Sequence, residues 1–167
     1  MISKSTIFST GALLSFVLLS SSAFGASGEV AISVELTPVG DFVSKGPLIG
    51  FAQKKGGGYV AKDVKLNLKD LKSDIDLRDN HMNEKYFEVE KYPVATMSKG
   101  VAKDGKFKAM LTVHGVEQKI AGSYKVEDKM LRGNFKTSLT AFKIKKASYM
   151  GVGVVDDVNV EVNLPIK

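Results

Sequence analysis

Lys106-Phe107-Lys108-Ala109-Met110-Leu111-Thr112-Val113-His114-Gly115-Val116-Glu117-Gln118-Lys119-Ile120-Ala121-Gly122-Ser123-Tyr124-Lys125-Val126 alternates apolar or small residues with polar ones on both sides of one short loop. Phe107, Ala109, Leu111 and Val113 alternate with Lys106, Lys108 and Thr112. After the loop at His114-Gly115, Ile120, Gly122, Tyr124 and Val126 take up the alternation again. A period of two places successive side chains on opposite faces of an extended chain, so each run predicts a half-buried strand and the pair predicts a β-hairpin.

The same period extends in both directions. Upstream, Val30, Ile32, Val34 and Leu36 oppose Glu29, Ser33 and Glu35, while Val64, Leu66 and Leu68 oppose Lys65, Asn67 and Lys69. Downstream, Leu131, Gly133, Phe135, Thr137 and Leu139 form one phase, and Val158, Val160, Val162 and Leu164 form the last. Gly46-Pro47, Gly56-Gly57-Gly58, Lys103-Asp104-Gly105, Glu127-Asp128-Lys129 and Asp156-Asp157 read as the intervening turns. About six to eight short strands at this spacing predict an all-β antiparallel barrel or sandwich. One segment departs from the pattern. Between Asp79 and Tyr92 the apolar positions Met82, Tyr86, Phe87 and Val89 recur nearer helical spacing and Pro93 ends them, which predicts one or two short helices around residues 79–92.

The first residues carry Lys4, an apolar run from Ile7 to Leu19 and small residues through Gly25. That is the layout of a secretory signal peptide, and the run is shorter than the roughly 20 residues a membrane-spanning helix needs. Residues 1–25 are therefore expected to be removed after export, leaving residues 26–167 as one domain. The chain has no cysteine, so an exported domain must rely on packing and ladder hydrogen bonds, a composition that suits the bacterial periplasm. The net charge of +6 comes from 24 basic residues, of which Arg78 and Arg132 are the only arginines. Scattered lysines lack the bidentate geometry that reads phosphates and base edges, so no nucleic-acid partner is expected.

Catalytic constellations are weak. A serine nucleophile needs an activating base, and the two histidines are His81 and His114. His81 with Glu84 is at most half of a metal site, and neither a metal nor another cofactor is expected. The run Asp74-Ile75-Asp76-Leu77-Arg78-Asp79 has Arg78 at the fifth position of a calcium loop, Asp79 where the glycine belongs and Lys85 where the last glutamate belongs. Gly151-Val152-Gly153 lacks the third glycine of a dinucleotide loop, and Gly56-Gly57-Gly58 lacks the lysine and hydroxyl of a phosphate loop. All three read as turns. Arg78 beside Asp74, Asp76 and Asp79 has two readings: an internal ion pair pinning the helix to the barrel, or a holder for a ligand's polar head at a cavity mouth.

Three further strings carry a family resemblance. Leu77-Arg78-Asp79-Asn80-His81-Met82 followed by Tyr86-Phe87-Glu88-Val89-Glu90-Lys91-Tyr92-Pro93 resembles the Arg-Asp-x-His and Tyr-Pro signature of the YceI-like proteins. Leu111-Thr112-Val113-His114-Gly115-Val116 resembles their Leu-Thr-x-His-Gly-Val hairpin, and Ala141-Phe142-Lys143-Ile144 onward to Val162 resembles their closing region. The likeness spans residues 64–164 and weakens before them. Leu48-Ile49-Gly50-Phe51 lacks the histidine usual near that step, and lysines around Lys143 to Lys146 replace a usual arginine.

The resemblance implies an extended eight-stranded antiparallel, lipocalin-like barrel. It also implies a ligand: a long apolar molecule such as a polyisoprenoid, an isoprenoid quinone or a fatty amide, bound without covalent chemistry. Strand phase and resemblance together put Arg78, His81, Phe87, Tyr92, Phe107, Ala109, Leu111, Tyr124 and Phe135 at the ligand, with Gly122, Gly133 and Ala109 leaving space among the aromatics. Transient membrane contact and a homodimer are both compatible with such a carrier. The alternative is a barrel filled by its own aromatics that serves as a stress-related interaction module. An enzyme reading would rest on His81 and His114 alone.

Overall fold

The computed structural model describes residues 27–167, and the expected signal peptide lies outside them. The strands are β1 (Gly28–Thr37), β2 (Asp41–Leu48), β3 (Ala52–Lys55), β4 (Gly58–Asn67), β5 (Val94–Lys103), β6 (Lys106–Val113), β7 (Val116–Glu127), β8 (Met130–Ser138), β9 (Ser148–Tyr149) and β10 (Val152–Pro165). They make one ten-stranded sheet in the order β2-β1-β10-β8-β7-β6-β5-β4-β3, with the two-residue β9 on β10. The sheet is antiparallel and curls into a lipocalin-like all-β fold. Its ends are tied by short bridges: Lys45 exchanges backbone bonds with Lys72, Ile49 with Lys65, and Lys167 N–H donates to Ala52 O at 2.9 Å.

The tight hairpins follow from their turn residues. Gly56-Gly57, Asp104-Gly105, His114-Gly115 and Asp128-Lys129 each fill a two-residue loop with both residues at positive φ, as the hairpin turn matched to strand twist requires.

The sheet has more strands than the eight expected, and two expected turns lie inside strands. Gly46 and Pro47 lie inside β2. Lys45 and Ile49 turn their N–H groups outward to Lys72 and Lys65, so the missing N–H of Pro47, two residues from each, falls on the sheet's open edge where no ladder partner is lost. A Cβ on Gly46 would stand 3.0 Å from Leu66 Cδ1 and 3.4 Å from Leu71 Cα, so glycine there allows the chain at Leu68–Leu71 to close over β2. Asp156 and Asp157 lie inside β10, at a bulge: Val34 pairs with Val158 but Leu36 with Val154. The bulge leaves Asp156 free to accept the Thr140 N–H at 3.0 Å and the Thr140 hydroxyl at 2.6 Å.

The helical segment starts earlier than expected. Helix α1 covers Asp76–His81 and continues as one wide turn over Met82–Tyr86. Helix α1 has no side-chain cap at Ile75, and it is tied to the segment that leads into it by Asp79, 3 % exposed. Asp79 Oδ1 accepts the backbone N–H of Ser73 at 2.8 Å and the Ser73 hydroxyl at 2.7 Å. Beneath it, Leu68 and Leu71 are almost wholly buried, each contributing roughly 1.5–3 kcal/mol of hydrophobic stabilisation.

Candidate functional site

The inward faces of the strands enclose a cavity of about 670 Å³. Alternation selects its walls: Val30, Ile32 and Val34 from β1, Val64 and Leu66 from β4, Phe107, Leu111 and Val113 from β6, and Val158, Val160, Val162 and Leu164 from β10. From Val113 to Phe107 is six strand steps, a depth of roughly 20 Å at about 3.3 Å per residue. Such a volume falls within the range of small-molecule sites.

One end is open and the other closed. At the open end stand α1 with the wide turn after it, and the loop from Phe142 to Val152. Leu77 and Met150 line the cavity there while being 66 % and 85 % exposed, and Ile75 and Val152 are also exposed, so the rim presents apolar side chains to solvent. The charged lining residues, Arg78 and Lys145, belong to this end, with Thr137, Ser138 and Ser148. Toward the closed end the walls are hydrocarbon, finishing at Phe107 and Phe135, whose rings meet edge-on at 6.0 Å.

Of the residues expected at the ligand, Arg78, His81, Phe87, Phe107, Leu111 and Phe135 line the cavity. Arg78 and His81 are three apart on α1 and so share one face. The ion pair expected between Arg78 and its neighbouring aspartates is not formed. The Arg78 guanidinium lies 4.1 Å from the centre of the Phe42 ring, and Asp79 instead takes Ser73, with Lys72 Nζ at 3.9 Å. An arginine stacked on an aromatic face keeps its donors free for a polar group at the cavity mouth.

Tyr92, Ala109 and Tyr124 do not line the cavity. The Tyr92 ring packs on His114 at 4.5 Å and occupies the space a Cβ on Gly115 would need, 2.8 Å away. Ala109 is buried against Gly100, and Tyr124 meets Tyr59 edge-on at 6.0 Å beyond the closed end. Gly122 and Gly133 do not leave space for a ligand either. A Cβ on them would come within 2.8 and 3.3 Å of Phe107 Cε1, so they accommodate that ring.

His114 lies outside the cavity but braces its mouth. Its Nε2 is 2.7 Å from Glu88 Oε2 and its Nδ1 is 3.3 Å from Phe142 O, so one imidazole joins the β6–β7 hairpin to both segments that flank the opening. Among the described residues no group of three His, Asp or Glu side chains is placed to hold a metal ion. The sequence reading missed Phe42, Ile75, Leu77 and Met82 as lining residues. The alternation of Ile75 and Leu77 with aspartates is a signal for those two, but the run Asp74–Asp79 reads locally as a turn.

A curled antiparallel sheet around a deep apolar cavity with a polar, partly charged mouth defines an all-β cavity protein of the lipocalin-like class. The YceI-like domain model matches residues 20–166, and the chain belongs to that family. No curated protein matches the chain. Among solved structures, BcnA of Burkholderia cenocepacia superposes with a TM-score of 0.60 at 13% identity, covering 81% of this chain and 94% of that one. A polyisoprenoid binding domain from Saccharophagus degradans, implicated in plant cell wall breakdown, superposes with a TM-score of 0.55 at 14% identity, covering 83% and 94%. At such identities the likeness concerns the fold.

Proposed function

We propose that the protein is a periplasmic carrier that holds one long apolar molecule, of the polyisoprenoid, isoprenoid quinone or fatty amide class, without covalent chemistry. The observation that carries this reading is the cavity itself: about 670 Å³, walled almost wholly by hydrocarbon, with its charged residues at the mouth. Each methylene moved from water into it contributes about 0.8 kcal/mol, which favours long chains over short polar metabolites. Arg78 and His81 at the mouth suit a polar head that stays near solvent. The polyisoprenoid-binding relative from Saccharophagus degradans supports the ligand class. The signal-like residues 1–25 support export, and the apolar rim with Arg78 and Lys145 suits transient contact with the membrane that supplies the ligand.

A barrel filled by its own aromatics conflicts with the cavity, since Phe107 and Phe135 close only one end. The test is native mass spectrometry with organic extraction of the protein purified from a periplasmic fraction. A co-purifying long-chain lipid, or uptake of an isoprenoid quinone by the delipidated protein, is the expected result. An unchanged apo mass after incubation with isoprenoid quinones and fatty amides would overturn the reading.

A further inference from the structure

Beyond the closed end of the cavity lies a second void of about 40 Å³, walled by Ala52, Tyr59, Ala102, Leu131 and their neighbours. The two spaces share four wall residues, Met97, Phe107, Val162 and Leu164. These four side chains stand between the two spaces, and one of them is the Phe107 ring. It is seated against Gly122 of β7 and Gly133 of β8, where a Cβ would come within 2.8 and 3.3 Å of Phe107 Cε1, and it is braced edge-on by Phe135 at 6.0 Å. The ring is thus confined on the side of the two glycines, whereas Met97, also shared by the two spaces, is an unbranched and adaptable side chain.

We propose that Phe107 is the length stop of the ligand site: the end of the bound chain abuts its ring, and the ring sets the longest chain that the cavity takes in full. The inference rests on the carrier reading and deepens it by naming the residue that measures the ligand. In the protein, affinity climbs with chain length only while added methylenes are buried, by roughly fifteen-fold per two carbons. Past the stop, added carbons must stay in the solvent-facing mouth and contribute little. Removing the ring joins the 40 Å³ void to the main cavity and adds the volume of the ring.

The experiment is a ladder of straight-chain primary fatty amides, lengthened two carbons at a time, titrated by native mass spectrometry into the delipidated wild type, Phe107→Ala and Phe107→Leu. The wild type is expected to gain affinity step by step and then level off. Phe107→Ala levels off at least one step later, and Phe107→Leu, which keeps most of the hydrophobic packing if the alanine variant does not fold, shows a smaller shift in the same direction. Cooperatively folded variants that level off at the wild-type length would overturn the length stop while leaving the carrier reading intact. Failure of the wild type itself to bind either any amide in the ladder or an isoprenoid quinone would overturn both, and is told apart because it appears without a substitution.

Discussion

Replacing Asp79 with alanine tests the idea that one buried carboxylate holds the helical wall of the cavity in place. Its Oδ1 accepts two bonds, from the Ser73 N–H at 2.8 Å and the Ser73 hydroxyl at 2.7 Å, in a site where both residues are buried. Hydrogen bonds to a charged group contribute about 1.5–3 kcal/mol each. Truncation also leaves two buried donors unpaired, so Asp79→Ala is expected to destabilise the protein by about 3 kcal/mol or more. For a domain of this size that lowers Tm by roughly 10 °C. Asp79→Asn, which keeps an acceptor without its charge, should lose about half as much. Ser73→Ala removes only the hydroxyl bond, and its effect should largely vanish in the Asp79→Ala background because both changes delete the same interaction. Thermal and urea melts supply the energies, and hydrogen exchange should show faster opening over residues 76–87. A Tm change below about 2 °C for Asp79→Ala, or full additivity of the pair, would show that this carboxylate does not hold the helix.

Three further outcomes are expected. Leu77→Ser with Met150→Ser, both at exposed rim positions, should slow ligand uptake from vesicles while leaving affinity for detergent-delivered ligand unchanged; equal effects on both assays would contradict a membrane-facing rim. His114→Phe keeps the stacking on Tyr92 but removes the bonds to Glu88 and Phe142, and should lower stability by about 1–2 kcal/mol in urea denaturation, an unchanged midpoint contradicting the bracing role. The Thr140 hydroxyl, then its N–H, holds the Asp156 carboxyl below the ordinary value of 3.8, with Lys146 and Ser138 adding to the effect. A depressed carboxylate stabilises the fold above its unfolded-state value, and that contribution is lost as pH falls through the folded-state value. Thr140→Val should therefore move the Asp156 midpoint upward in an NMR titration and make acid unfolding begin at higher pH; a midpoint that stays in place contradicts the assignment.

The hairpins were legible because their signals are local. Alternation fixes which face of β6 or β10 turns inward, and pairs such as Asp104-Gly105 fix where the chain reverses. Where a residue's meaning depends on distant partners, the local signal failed. Pro47 marks a turn by itself but an edge strand once Lys45 and Ile49 are tied outward, and Asp156 becomes a bulge residue only when Thr140 arrives from a preceding loop. The site divides in the same way. Strand phase selected Phe107, Leu111 and Phe135 correctly as cavity-facing, but phase says nothing of depth along the barrel, so Tyr124 was placed at the ligand although it sits past the closed end. Glycines at 122 and 133 signal close approach, and only the packed structure tells that the approaching group is the Phe107 ring.

Entry of an apolar chain into the interior of this sheet is what carrier function requires. Methyl-labelled protein, delipidated and titrated with an isoprenoid quinone, tests it residue by residue in NMR spectra. Shifts confined to inward methyls, among them Ile32, Val34, Leu66, Leu111 and Val160, with Val43 and Val101 on the exposed face unmoved, are the predicted result. Inward methyls that do not respond at saturating quinone, or shifts restricted to the exposed face, would contradict it.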